Sequence, residues 1–190
     1  MIIRRTFART ALKLARWKTV GSAPRAGIFV GAPHTSNWDW VATISLLWSQ
    51  GVAPRVLVKR ELFKGPVGLA LRATGGIPID RDNADEVVRE LAEHAARDDS
   101  FVIVLAAEGT RTKGEHWKSG FYRLSRQTGI PVTFGSIDGP TRTMRLGLTM
   151  AMTGDAAADM DKIRAYYADA QGLRPERRTE PRLRDETAGS

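Results

Sequence analysis

His34-Thr35-Ser36-Asn37-Trp38-Asp39 combines residue types and a spacing suited to proton transfer. It follows a short apolar run, Gly27-Ile28-Phe29-Val30-Gly31, that reads as a buried strand. It precedes Trp40-Val41-Ala42-Thr43-Ile44-Ser45-Leu46-Leu47-Trp48, which reads as a helix. A strand-to-helix turn lets the His34 imidazole face back toward the Asp39 carboxylate. An aspartate that accepts a hydrogen bond from one imidazole nitrogen fixes the tautomer and leaves the other nitrogen free as a base. That is the chemistry needed to take a proton from an alcohol. A His and an Asp five residues apart also serve as a plain capping or surface pair, so the reading depends on what the rest of the chain sets beside them.

Two further polar clusters follow apolar runs. Gly75-Gly76-Ile77-Pro78-Ile79-Asp80-Arg81 sets a guanidinium at the mouth of a glycine-opened strand. The planar fork of Arg81 suits a phosphate or other anion, although pairing with Asp80, Asp82 or Glu86 is an equally simple use. Glu108-Gly109-Thr110-Arg111 leaves a strand into a turn that offers backbone N–H groups, a hydroxyl and a second guanidinium, or merely forms a solvated loop. Glu115, His116 and Lys118 continue that loop, and His116 reads as solvated rather than as a ligand.

The elements that must position these residues alternate. Apolar strands are expected at 27–31, 55–59, 77–79, 101–106, 131–136 and near 144–150. Helical patterns cover 38–50, 65–74, 82–97 (with Asp82 or Asn83 as cap), 117–128 and 159–170. Continuous apolar strands separated by helices predict an α/β domain with a mostly parallel sheet covered on both faces. Ligands in such a sheet sit beyond the carboxyl ends of the strands, where His34, Asp80-Arg81 and Glu108–Arg111 all emerge. Residues 172–190 are polar, rich in Arg and Glu, and read as an extended or disordered tail after a domain spanning 21–171.

Composition narrows the function. The 190 residues fit one domain and contain no Cys, which removes disulfides, thiolate metal sites and a cysteine nucleophile. With His only at 34, 94 and 116, no multi-histidine metal site and no cofactor are expected. The net charge is +8, and Arg4, Arg5, Arg9, Lys13, Arg16 and Lys18 occupy the first twenty residues with no acid among them. The rest of the chain is nearly neutral, which argues against a nucleic-acid partner. On a helical wheel Ile3, Phe7, Ala11, Leu14 and Trp17 fall on one side of residues 1–20, opposite Arg5, Arg9, Lys13 and Arg16. Such a helix can lie in the interface of an anionic membrane, or its stripe can pack on the protein's own core. No apolar run is long enough to span a bilayer and no secretory signal is recognised, so a cytoplasmic location, peripheral to the inner face of the cell membrane, is expected.

In this order and spacing the motifs resemble those of the glycerophospholipid acyltransferases, which acylate glycerol-3-phosphate and lysophosphatidic acid. His34 to Asp39 is similar to the family's first motif, and Gly76 to Arg81 to its second, where the Arg helps bind the acceptor's phosphate. Glu108-Gly109-Thr110-Arg111 is similar to the third, also implicated in acceptor binding, and Ile130-Pro131-Val132 to the fourth, beside the acyl-donor site. The resemblance covers about residues 27–135. Ala107 departs from it, because a Pro usually precedes the Glu of the third motif. The short His-Thr-Ser-Asn-Trp-Asp type is matched further by Trp117-Lys-Ser-Gly-Phe-Tyr122.

The resemblance implies acyl transfer from acyl-CoA or acyl-carrier protein to a hydroxyl of lysophosphatidic acid or a related lysophospholipid. His34 would be the base and Asp39 its orienting partner, with Arg81, Glu108, Gly109, Thr110 and Arg111 on the acceptor headgroup. A non-catalytic peripheral module that binds anionic lipid headgroups is the alternative.

Overall fold

The computed structural model describes residues 2–79, 93 and 101–186. In chain order the elements are α1 (Ile2–Leu14), β1 (Lys18–Val20), β2 (Gly27–Ala32), α2 (Trp38–Ser49), β3 (Pro54–Lys59), α3 (Gly65–Ala73) and β4 (Gly76–Ile79). They continue with β5 (Val102–Leu105), α4 (Gly120–Thr128), β6 (Val132–Asp138), β7 (Thr143–Met150) and α5 (Ala156–Tyr167). The strands form one sheet in the order β1-β7-β6-β2-β5-β3-β4. Each neighbouring pair is parallel except β6 and β7, which run antiparallel. This is the mostly parallel α/β architecture that the apolar runs predict.

β2 lies between β5 and β6 at the centre, and this explains its uninterrupted apolar sequence: Ile28, Phe29, Val30 and Ala32 are all buried. On one face Phe29 and Val104 pack under Ile44, Leu46 and Leu47 of α2, and Leu12 of α1 joins them. On the other, Ile28, Ile103 and Phe134 pack under Phe121 and Leu124 of α4 and Met160, Ile163 and Tyr167 of α5. Each helix thus turns one apolar stripe to the sheet, as a helix on a layered fold must.

Boundaries differ from the sequence expectations where side chains take the chain elsewhere. The helix expected over 117–128 begins at Gly120, because Trp117 runs strand-like and its N–H donates to the Arg182 carbonyl at 2.7 Å. The last helix begins early because the Asp155 carboxylate caps it, accepting from the Ala158 N–H at 3.0 Å. β1 has no counterpart in the sequence reading; its three residues pair with Thr143–Arg145 of β7. The helix expected at 82–97, with its Asp82 or Asn83 cap, lies outside the described residues.

Two regions correct the sequence reading more substantially. Residues 172–186, expected as an extended or disordered tail, are packed on the domain and include a 3-10 turn at Pro175–Arg177. Leu183 bridges Trp117 and is buried in the core, and Arg164 of α5 donates to the Pro181 carbonyl and pairs with Glu186. The apolar residues spaced along this polar stretch, Leu183 above all, anchor it. In α1 the inward contact is made by Ala8 and Leu12 against α2, with Arg9 Nε donating to the Ser49 carbonyl at 2.9 Å. The Arg4 guanidinium lies 5.2 Å over the Trp48 ring. Two of the helix's cations therefore face the body, while Ile3 (86% exposed) and Phe7 (68%) face away from it. Trp17 is half-buried against the core and departs from the outward stripe. Among the described residues no helix is long and apolar enough to cross a membrane.

Candidate active site

The site is built where β2 and its neighbour β5 end. β2 delivers the chain to the His34–Asp39 turn, and Asp39 sits in the first turn of α2, where the helix dipole favours a negative charge. Its Oδ2 accepts from the Thr35 N–H at 2.6 Å and from the Ser36 N–H at 2.7 Å. These bonds fold the turn back on itself and bring His34 Nδ1 to 3.3 Å from the same oxygen. The imidazole is about a quarter exposed, and its Nε2 has no hydrogen-bond partner among the described residues. One ring nitrogen thus faces a carboxylate while the other remains free to accept a proton.

A second carboxylate fixes the turn from the side of β5. Glu108 is 2% exposed, and its Oε1 accepts from the His34 backbone N–H at 2.6 Å. Burial raises its pKa; the His34 N–H, the Thr179 hydroxyl, the His34 ring and the Thr179 N–H all act against that rise. Below it the Tyr167 hydroxyl reaches the Val30 carbonyl at 3.1 Å and the Gly135 carbonyl at 3.0 Å, tying β2 to β6 just short of the turn.

The structure thus brings together His34, Asp39 and Glu108, from two separate stretches of the sequence motifs. Gly109, Thr110 and Arg111 follow Glu108 into an exposed loop. There Gly109 takes φ +66°, its N–H closes a turn onto the Ala106 carbonyl at 3.1 Å, and a Cβ would press on the Lys118 side chain. At the departure from the third motif, Ala107 is buried and its carbonyl accepts from the Lys118 N–H at 2.6 Å. Arg81 and Asp80 lie outside the described residues, just past the end of β4.

Ile130, Pro131 and Val132 are not brought to the turn. The Pro131 carbonyl accepts from the Ile28 N–H at 3.2 Å, at the start of β2, so they stand at the opposite edge of the sheet. At the rise of an extended strand that is roughly 20 Å from His34. His116 stays in the loop, 4.0 Å from the Glu115 carboxylate. Among the described residues no three His, Asp or Glu gather as a metal site requires.

Beside His34 a cavity of about 30 Å³ opens between α2 and the β2–β6 pair, lined by apolar groups including Leu46, Ile137 and Met144. It has room for about two waters but none for an alkyl chain. The sequence reading missed Thr35, fully buried and accepting from the Arg174 N–H at 3.0 Å, and Thr179, buried and accepting from the Gly114 N–H at 2.9 Å. Only the scattered Leu and Pro residues of the last twenty positions hinted that this stretch packs at all.

Comparison with known proteins accords with this arrangement. No curated protein sequence matches the chain. Among solved structures, the 1-acyl-sn-glycerophosphate (LPA) acyltransferase PlsC of Thermotoga maritima superposes with a TM-score of 0.57 at 21% identity. The match covers 87% of this chain and 74% of that one. At that identity it establishes a common fold. The profile of the family described as Acyltransferase matches residues 18–134, the span that carries β1 to β5, the start of β6, the His34–Asp39 turn and Glu108. The chain belongs to the acyltransferase family and is an acyltransferase.

Proposed function

We propose that the chain moves a fatty acyl group from a thioester donor, acyl-CoA or acyl-carrier protein, to a hydroxyl of lysophosphatidic acid or a related glycerolipid. The observation that carries this reading is His34 Nδ1 at 3.3 Å from an Asp39 carboxylate that two backbone N–H groups hold in place. His34 Nε2 removes the hydroxyl proton as the oxygen attacks the thioester carbonyl carbon. Asp39 steadies the imidazolium that forms. The tetrahedral intermediate collapses, the C–S bond breaks, and the imidazolium returns its proton to the departing sulfur. No covalent intermediate with the enzyme is needed.

Arg111, in the exposed loop beside Glu108, holds the acceptor's phosphate together with Arg81. Ile130–Val132, at the far edge of the sheet, serve the packing of β6 against β2 rather than the donor. The outward Ile3 and Phe7 of α1, in a segment of six cations and no acid, support contact with an anionic membrane surface at the inner face of the cell membrane. On this reading the vesicle binding expected of a non-catalytic peripheral membrane module accompanies catalysis in the same chain.

Mass spectrometry of products from the purified protein, offered a panel of lysolipids with acyl-CoA and with acyl-carrier protein, tests the reading. Acylated product that disappears with His34→Ala is expected. Vesicle binding without product from any donor would leave only a binding module.

A further inference from the structure

Residues 172–186 lie beyond the span matched by the family profile and touch both turns of the site. The first contact is on the His34–Asp39 turn. The Arg174 N–H donates to Thr35 Oγ1 at 3.0 Å, and Gly172, at φ +74°, approaches so closely that a Cβ would meet the Thr35 side chain at 3.0 Å. The second contact is on Glu108. Thr179 is 2% exposed, and its Oγ1 accepts from the Gly114 N–H at 2.9 Å. A hydroxyl that accepts through a lone pair still has its own proton to donate. On the other side, Glu108 Oε2 is buried with no hydrogen-bond partner among the described residues, and the Thr179 hydroxyl is one of the groups that hold the carboxyl's pKa down. Buried carboxylate oxygens without partners are rare and costly.

We propose that Thr179 is a positioning residue for catalysis: its hydroxyl donates to Glu108 Oε2, keeping that carboxyl ionised so that Oε1 grips the His34 backbone N–H and fixes the imidazole. The proposal rests on the reading of His34 as the base. The segment is held for this task independently of the site, through Leu183 in the core and the Trp117 N–H on the Arg182 carbonyl. Among the described residues, the titratable groups around Glu108 are His34, with Asp39 behind it on the turn, and Tyr167 on α5. Arg178 of the same segment donates to the Tyr167 carbonyl.

Thr179→Val removes the hydroxyl at nearly constant volume, and Thr179→Ser restores it. The His34 amide proton reports Glu108 ionisation directly by NMR, and Glu108→Gln identifies that step in the titration by abolishing it. In Thr179→Val the midpoint is expected to rise by roughly one pH unit and to return in Thr179→Ser. In turnover, Thr179→Val is expected to lower kcat about tenfold with KM for both substrates little changed, again recovered by Ser.

Because Thr179→Val also deprives the Gly114 N–H of its acceptor, the decisive comparison is made in the Glu108→Gln background. There the same substitution should cost almost nothing further. An unmoved amide midpoint, or an equal loss in both backgrounds, overturns the proposal. Thr179→Cys, with a far weaker donor, provides the same comparisons should Thr179→Val not fold. If the unaltered protein transferred no acyl group, the proposed function would fall, while the amide titration would still decide this point.

Discussion

The turn from His34 to Asp39 and the turn from Gly109 to Lys113 leave adjacent strands at the same edge of the sheet, yet they are held very differently. The first is closed by hydrogen bonds to two buried carboxylates, Asp39 and Glu108, with Thr35 and Ser36 out of solvent. The second is exposed, and its bonds are a Thr110–Thr112 hydroxyl contact, a long Thr112 N–H bond to the Thr110 hydroxyl and the Gly109 turn. A group that must meet a transition state benefits from being fixed beforehand, whereas one that must admit and release a charged headgroup benefits from solvent access. The contrast fits the proposed division, with chemistry at the first turn and binding at the second.

Substitutions can break this division of labour, and their sizes should follow it. His34→Ala is expected to lower acyl transfer by about a thousandfold or more with the thermal midpoint unchanged, because a positioned base contributes on that order. Near wild-type turnover in the purified variant would remove the base from the scheme. Asp39→Asn keeps an oxygen for the Thr35 and Ser36 N–H groups but no charge for the imidazolium. A loss in kcat of about a hundredfold or more, with KM little altered, is expected from steady-state kinetics.

Glu108→Gln sharpens the comparison by separating function from stability. The folded-state pKa of Glu108 is raised above its ordinary value of 4.5, so the native state binds this proton more tightly than the unfolded chain. Its contribution to stability is therefore greatest at low pH and is lost as pH rises from about 4.5 through the raised native value. At neutral pH the glutamine variant should melt no lower than the parent, while its kcat falls about tenfold. A lower melting point together with unchanged kcat would make Glu108 a structural brace alone. Arg111→Ala, in the open loop, should raise KM for a phosphate-bearing acceptor about tenfold, with kcat and melting temperature nearly constant. An equal change with a phosphate-free acceptor would sever Arg111 from headgroup binding.

The sequence made the sheet and its central turn readable, because β2 is buried on both faces and leaves an uninterrupted apolar run, and because His34 and Asp39 lie close along the chain. Glu108 was legible as a candidate for the acceptor headgroup but not as a support for the His34 amide. That contact spans 74 positions and depends on the register between β2 and β5, which no local pattern records. Ile130–Val132 show the opposite difficulty: a motif flags them, yet the parallel pairing of β6 with β2 sends them to the other edge. Thr179 carried no signal at all, since a lone Thr among Arg and Glu reads as solvated until Leu183 and Trp117 fold the segment inward. α1 was legible as amphipathic but not in its inward contacts, because Ala8 and Leu12, rather than the larger apolar residues, fit against α2.

α1 is clasped to α2 by Leu12, by Arg9 on the Ser49 carbonyl and by Arg4 over Trp48, and α2 in turn begins at the very turn that holds His34. The outward-facing Phe7 and the His34 turn are therefore joined through the packed pair α1 and α2. Any surface on which α1 came to rest would set the tilt of the α1–α2 pair, and with it the direction in which the His34 turn opens.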